Sequence, residues 1–135
     1  MIDQHKNFYN LEDLEILAKN LIKELKKGSI VCLKGELGAG KTTLARFIIN
    51  SFYDLKKIKK PTSIQSPSFP ILLIYDLSDV EIFHYDLYRI KTSSELDQLN
   101  IEENINNSIT LIEWPEIIFE KNFNYWYWWW SFRSN

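Results

Sequence analysis

The string Gly35-Glu36-Leu37-Gly38-Ala39-Gly40-Lys41-Thr42 constrains this chain more than any other stretch of it. Residues 29–33 before it (Ser-Ile-Val-Cys-Leu) are short, β-branched and apolar on both sides, the pattern of a strand buried in the middle of a sheet. After it, Leu44, Ala45, Phe47, Ile48 and Ile49 recur at helical spacing and predict a helix to about residue 52. A buried strand, a glycine-rich turn and a helix in immediate succession require an α/β layer structure with a parallel sheet. The pattern Gly-x4-Gly-Lys-Thr at that junction is the phosphate-binding loop pattern. From ordinary residue frequencies, a chance match in a chain this long has odds of roughly one in two hundred, before the strand and helix are required.

Each residue type in the string has a chemical reason. Glycines let the backbone turn with positive φ and approach an anion with no Cβ in the way, so that successive N–H groups and the helix N-terminus point at phosphate. Lys41 adds a full positive charge, and Thr42 offers a hydroxyl to Mg2+, which takes oxygen ligands in octahedral geometry. Such a loop needs an acidic partner for the metal and a group that orients the attacking water. Glu113 follows the apolar strand Ile109-Thr110-Leu111-Ile112 and is expected at its C-terminal end, the edge where α/β folds bind ligands. Asp86 lies in a strand whose alternation sets His84, Asp86 and Tyr88 on one face and Phe83, Tyr85 and Leu87 on the other. Spacing alone leaves alternatives open: a solvated Glu113, an Asp86 paired with Arg89, and a structural His84.

Elsewhere, Leu11, Leu14, Leu17, Ala18, Leu21, Ile22 and Leu25 predict an amphipathic helix capped by Asn10 and stopped at Gly28. Residues 54–66 are polar, with Lys56, Lys57, Lys59 and Lys60, and predict a surface loop; contact of those lysines with a nucleic acid is the less favoured reading. Residues 69–76 and 80–90 read as an antiparallel hairpin. Thr92-Ser93-Ser94-Glu95 has capping-box spacing and opens a further helix. The 16 Lys plus Arg against 18 Asp plus Glu leave a net charge of -2, no footprint for coating a polyanion. The single cysteine, Cys32, is expected as a small buried hydrophobe. No stretch approaches the length of a spanning helix and no leader pattern opens the chain, so no membrane and a cytoplasmic location are expected.

Four motifs carry a resemblance. Residues 35–43 (Gly-Glu-Leu-Gly-Ala-Gly-Lys-Thr-Thr), then Ser66-Pro67-Ser68-Phe69, then His84-Tyr85-Asp86-Leu87-Tyr88-Arg89, then Leu111-Ile112-Glu113-Trp114-Pro115-Glu116 resemble, in that order and spacing, the TsaE (YjeE) family of small bacterial P-loop ATPases. The resemblance implies a P-loop NTPase-like three-layer sandwich, with a mostly parallel central sheet, an antiparallel hairpin and helices on both faces, formed by residues 1–135 as a single domain. It implies ATP and Mg2+ bound at Gly35, Glu36, Leu37, Gly38, Ala39, Gly40, Lys41, Thr42 and Thr43, with Thr42 and Glu113 on the metal and Asp86 beside the phosphates. Lys41, Asp86 and Glu113 are then the catalytic candidates. Ser66-Pro67-Ser68 matches a switch-like loop, and the region around Asn10 is where the family approaches the adenine. The implied partners are TsaD and TsaB, which transfer a threonylcarbamoyl group to N6 of adenosine 37 in tRNAs reading codons that begin with adenine. The ATPase supports their turnover and reaches tRNA through them.

Three departures from the family pattern matter. Ser68 stands where Thr is usual, which keeps the hydroxyl. Pro70 removes a backbone donor from its strand and predicts an edge position or a bulge. Past Glu116 nothing aligns with the family; four of the five tryptophans fall in the last ten residues, in Tyr125-Trp126-Tyr127-Trp128-Trp129-Trp130. Residues 124–132 are expected to form a terminal strand, or the altered remnant of one, covering the sheet; the alternative is a frameshifted or truncated, partly disordered end. No arginine is clearly placed as a finger among Arg46, Arg89 and Arg133, so turnover alone is expected to be slow and partner-stimulated. A nucleotide-gated adaptor and a small P-loop metabolite kinase are the rival readings. A GTPase lacks its base-reading Asn-Lys-x-Asp motif here.

Overall fold

The computed structural model describes residues 3–5, 10–121 and 124–132. In chain order the elements are β1 (Asp3–His5), α1 (Leu11–Leu21), β2 (Ile30–Gly35), α2 (Lys41–Lys56), β3 (Leu72–Asp76), β4 (Glu81–Asp86), α3 (Ser93–Gln98), α4 (Ile101–Asn104), a 3-10 turn at Ile105–Asn107, β5 (Ser108–Glu113), α5 (Glu116–Phe119) and β6 (Trp128–Phe132). The six strands form one sheet in the order β1-β6-β2-β5-β4-β3. Every neighbouring pair is parallel except β3 with β4, which is the expected hairpin.

Strand alternation sorts the core into two layers. Val31 and Leu33 of β2, Ile109 and Leu111 of β5, Ile82 of β4 and Trp130 and Phe132 of β6 pack with α1 and α2. Ile30, Cys32, Phe83, Tyr85 and Ile112 face the opposite way and pack with α3, α4 and α5. Both faces of the central strands are therefore covered, which explains why β2 and β5 read as unbroken apolar runs. Cys32 is fully buried, and that burial pushes its thiol pKa up, with Glu116 adding to the shift, as fits an inert packing residue.

Local signals set the helix starts. The Asn10 side chain accepts from the Asp13 N–H and the Asp13 carboxylate from the Asn10 N–H, a reciprocal cap contributing about 1 kcal/mol. Thr92 accepts from the Glu95 N–H to open α3. α1 ends at Leu21, short of the expected limit, although Ile22 and Leu25 remain buried. α2 is longer than its apolar spacing predicts, because its first turn is built from Lys41, Thr42 and Thr43 and its last turns replace the start of the expected loop. β3 begins only at Leu72: residues 68–70 form a turn closed by Ile71 N–H to Pro67 O at 2.6 Å, and Pro70 sits in that turn, just outside the edge strand. β4 likewise stops at Asp86, where the chain turns with Ile90 N–H on Leu87 O.

The aromatic segment differs most from expectation. β6 does not cover the sheet; it is inserted into it between β1 and β2, with Trp128 to Phe132 in parallel register with Val31 to Gly35. Among the described residues no helix is long and apolar enough to cross a membrane.

Candidate functional site

β2, β5 and β4 run parallel, β5 and β4 ending level at Glu113 and Asp86 and β2 running two residues past Leu33, the partner of Glu113, to Gly35. Their C-terminal ends form one edge, and at that edge residues 35–40 turn the chain from β2 into α2. Gly40 is the residue before α2 and has φ 116, a conformation that a side chain would resist. The first helical bond runs from Leu44 N–H to Gly40 O, which leaves the N–H groups of residues 41–43 with no partner inside the helix. Those groups and the helix dipole together favour an anion.

Gly35 is required for a different reason. A Cβ there would lie 2.9 Å from both the Cβ and the carbonyl oxygen of Phe132, neither of which is the end of a flexible side chain. We predict that Gly35→Ala costs about 1–3 kcal/mol by overpacking and weakens nucleotide binding by displacing the loop. Denaturant unfolding with a parallel nucleotide titration checks this, and an unchanged midpoint with unchanged affinity contradicts it.

Lys41 is 4% exposed, and its ammonium donates to Gly35 O and Glu36 O, each at 2.6 Å, while lying 4.2 Å from the centroid of the Trp114 ring. Burial pulls its pKa below the usual lysine value, while the nearby carboxylates of Glu113, Asp86, Glu116 and Glu36 act in the opposite direction. Thr42 Oγ1 donates to Glu113 Oε1 at 2.6 Å. The second carboxylate oxygen, Oε2, lies 2.7 Å from His84 Nε2. Glu113 and His84 are both fully buried, and the other ring nitrogen, His84 Nδ1, has no hydrogen-bond partner among the described residues. Such an unpaired buried polar atom costs about 1–3 kcal/mol.

Asp86 is also buried; its Oδ2 accepts from Ser68 Oγ at 3.1 Å and its Oδ1 from the Tyr88 N–H at 3.0 Å. Arg89 does not serve Asp86: its guanidinium donates to the carbonyls of Ser68 and Phe69. Ser66 and Ser68 share a hydroxyl contact at 2.8 Å, so the Ser66-Pro67-Ser68 segment is tied directly to the Asp86 carboxylate.

The structure thus brings Lys41, Thr42, Asp86 and Glu113 together at one sheet edge, with Glu36 close enough to act on the Lys41 charge. Leu37 points outward, 69% exposed, and Gly38, Ala39 and Thr43 complete the loop and first turn. Arg46 is on an exposed position of α2, and Arg133 lies outside the described residues. Lys56 and Lys60 are engaged with Asp79 and Asp54, so part of the lysine run is neutralised locally. His84, which strand parity sets beside Asp86 and which sequence left open as structural, lies on the loop side of β4 against Glu113. Phe132 was not singled out by sequence, because its contact with Gly35 depends on where β6 enters the sheet.

The donor set suits Mg2+. Neighbouring ligands of an octahedral Mg2+ lie about 2.9 Å apart, given metal–oxygen distances of 2.0–2.1 Å. Thr42 Oγ1 and Glu113 Oε1, 2.6 Å apart, are two hard oxygen donors that would hold the ion together. The residues present therefore fit the metal.

A glycine loop between the central strand β2 and a helix, facing buried carboxylates at the ends of β5 and β4, the next two strands on one side, defines a P-loop α/β protein. The model of the family described as "Threonylcarbamoyl adenosine biosynthesis protein TsaE" matches residues 8–132. The chain belongs to the TsaE family. The match runs through β6, so the aromatic strand falls within the family pattern although sequence reading aligned nothing past Glu116. The chain is 46% identical over 109 residues to the tRNA threonylcarbamoyladenosine biosynthesis protein TsaE of Rickettsia felis, covering 81% of this chain and 61% of that one. It is 32% identical over 105 residues to the TsaE protein of Aquifex aeolicus, covering 78% and 71%. The crystal structure of YdiB from Bacillus subtilis superposes with a TM-score of 0.59 at 28% identity, covering 83% of this chain and 64% of that one. The chain thus spans about three-fifths of the Rickettsia felis relative it matches.

Proposed function

We propose that this protein binds ATP with Mg2+ and hydrolyses it, in the cytoplasm, in support of the TsaD–TsaB complex that forms N6-threonylcarbamoyladenosine at position 37 of tRNAs reading codons that begin with adenine. The observation that carries this reading is the 2.6 Å contact of Thr42 Oγ1 with Glu113 Oε1, beside the Lys41 ammonium at the start of α2. A hydroxyl, a carboxylate and an ammonium converge there on a glycine loop, which is the set that phosphoryl transfer to water requires.

In this reading the N–H groups at the start of α2 and the Lys41 ammonium take the triphosphate, and Lys41 exchanges its carbonyl partners for phosphate oxygens. Thr42 and Glu113 would hold Mg2+, which would supply neutralisation of charge developing on the phosphates. Asp86, already fixed by Ser68 and the Tyr88 N–H, orients the water with its remaining lone pairs. The water oxygen bonds to the γ-phosphorus as the bond to the β-phosphate oxygen breaks, giving ADP and phosphate.

The test is phosphate release from ATP, measured with and without TsaD and TsaB, for the wild type and Glu113→Gln. We expect slow release alone, faster release with the partners, and a loss of about 100-fold or more in Glu113→Gln, which still binds ATP. No release under either condition would favour the nucleotide-gated adaptor, and a phosphorylated small molecule the kinase.

A further inference from the structure

We propose that His84 is a positioning residue for the metal-holding carboxylate: by engaging Glu113 Oε2, it fixes the carboxylate so that Oε1 faces Thr42. The inference rests on the ATP–Mg2+ reading above and names the group that prepares that site.

Three observations converge on it. The Nε2–Oε2 separation is 2.7 Å, and both side chains are shut off from solvent, so no water competes for the contact. Glu113 is held from both sides, by Thr42 on one oxygen and His84 on the other, which leaves its carboxyl plane no free rotation. Among the described residues the ring is engaged through that nitrogen, with no partner on Nδ1. With a proton on Nε2 the ring donates to Glu113 Oε2 and holds that oxygen away from Thr42. The register explains how the contact forms: His84 lies opposite Leu111, two residues before Glu113 on the same face of the adjoining parallel strand.

The test uses the full chain and a non-hydrolysable ATP analogue, titrated by calorimetry with excess chelator and then across a series of Mg2+ concentrations. For His84→Phe we expect affinity without Mg2+ within twofold of the wild type, because the loop and Lys41 are untouched. The Mg2+ concentration giving half the metal-dependent gain should rise about 10- to 100-fold. His84→Gln, whose amide can donate to Oε2, should restore that midpoint to within about threefold. An unchanged midpoint in His84→Phe overturns the proposal, as does a folded His84→Gln as impaired as His84→Phe. A wild type whose affinity ignores Mg2+ overturns the metal site itself, and the role of His84 with it. Glu113→Gln separates the cases: impaired metal dependence there with a normal His84→Phe leaves the site standing and removes only the histidine. Imidazole 15N spectra of the wild type give a second readout independent of any variant's folding, and the chain has only two histidines. A proton on His84 Nε2, in the neutral or the doubly protonated ring, supports the proposal, and a neutral ring protonated on Nδ1 alone overturns it.

Discussion

Lys41→Ala abolishes ATP binding: an affinity loss of at least 100-fold is expected, which corresponds to about 2.7 kcal/mol. The size follows from what surrounds the ammonium. Glu113, Asp86, Glu116 and Glu36 all act on the Lys41 charge, and Lys41 is the cation at the start of α2 that opposes them. Without it, a triphosphate entering the loop meets carboxylates with only backbone dipoles to offset them, in a setting where burial strengthens the repulsion. The Gly35 and Glu36 carbonyls also lose their donor, so the loop loses a brace even before nucleotide arrives. Lys41→Met separates the two effects, because it keeps most of the stem against the Trp114 ring while removing the charge. Calorimetric titration with ATP should find both variants without measurable binding, and Lys41→Met closer to the wild type in melting temperature. Nucleotide affinity preserved in either variant would place ATP somewhere other than this loop.

The loop and its flanking elements were legible because their determinants are local. Gly35, Gly40, Lys41 and Thr42 are fixed by a motif, and the burial of β2 by a run of five residues. The parity of β4 placed His84 and Asp86 together on one face, as found. What sequence could not supply was non-local. The motif put a helix start at the loop, but apolar periodicity begins only at Leu44 because the first turn, Lys41-Thr42-Thr43, is polar and faces the site. The partner of His84 is 29 residues away, and nothing in either segment announces it. The order of strands was hidden in the same way. A run of consecutive aromatics lacks the polar–apolar alternation of an edge strand because β6 is an interior one: Trp128, Trp130 and Phe132 face α1 and α2, while Trp129 packs on the opposite layer. The tail was anomalous only while it was taken to lie on the outside.

That placement gives the second large effect. Trp130 is 2% exposed and pairs in register with Leu33 of β2 on one side and Gln4 of β1 on the other. Trp130→Ala should therefore cost about 3–5 kcal/mol, the range for removing a buried large aromatic. For a domain of this size the melting temperature falls by roughly 10–20 °C. Its indole Nε1 has no hydrogen-bond partner among the described residues, so packing is the side chain's contribution there. Trp130→Phe, which gives up the donor and part of the volume, should accordingly lose less than half as much. The damage should reach the nucleotide as well, since Phe132, two residues along β6, backs Gly35 and lies against Gly40. A strand that loosens there frees the loop, so ATP affinity should drop in Trp130→Ala although no atom of Trp130 belongs to the proposed site. Added ATP with Mg2+ should in turn raise the melting temperature of the variant, because a ligand bound only by the native state stabilises it by mass action. A Trp130→Ala protein that melts within about 2 °C of the wild type would show that β6 is no part of the cooperative sheet, and deletion of residues 125–135 would then be equally silent.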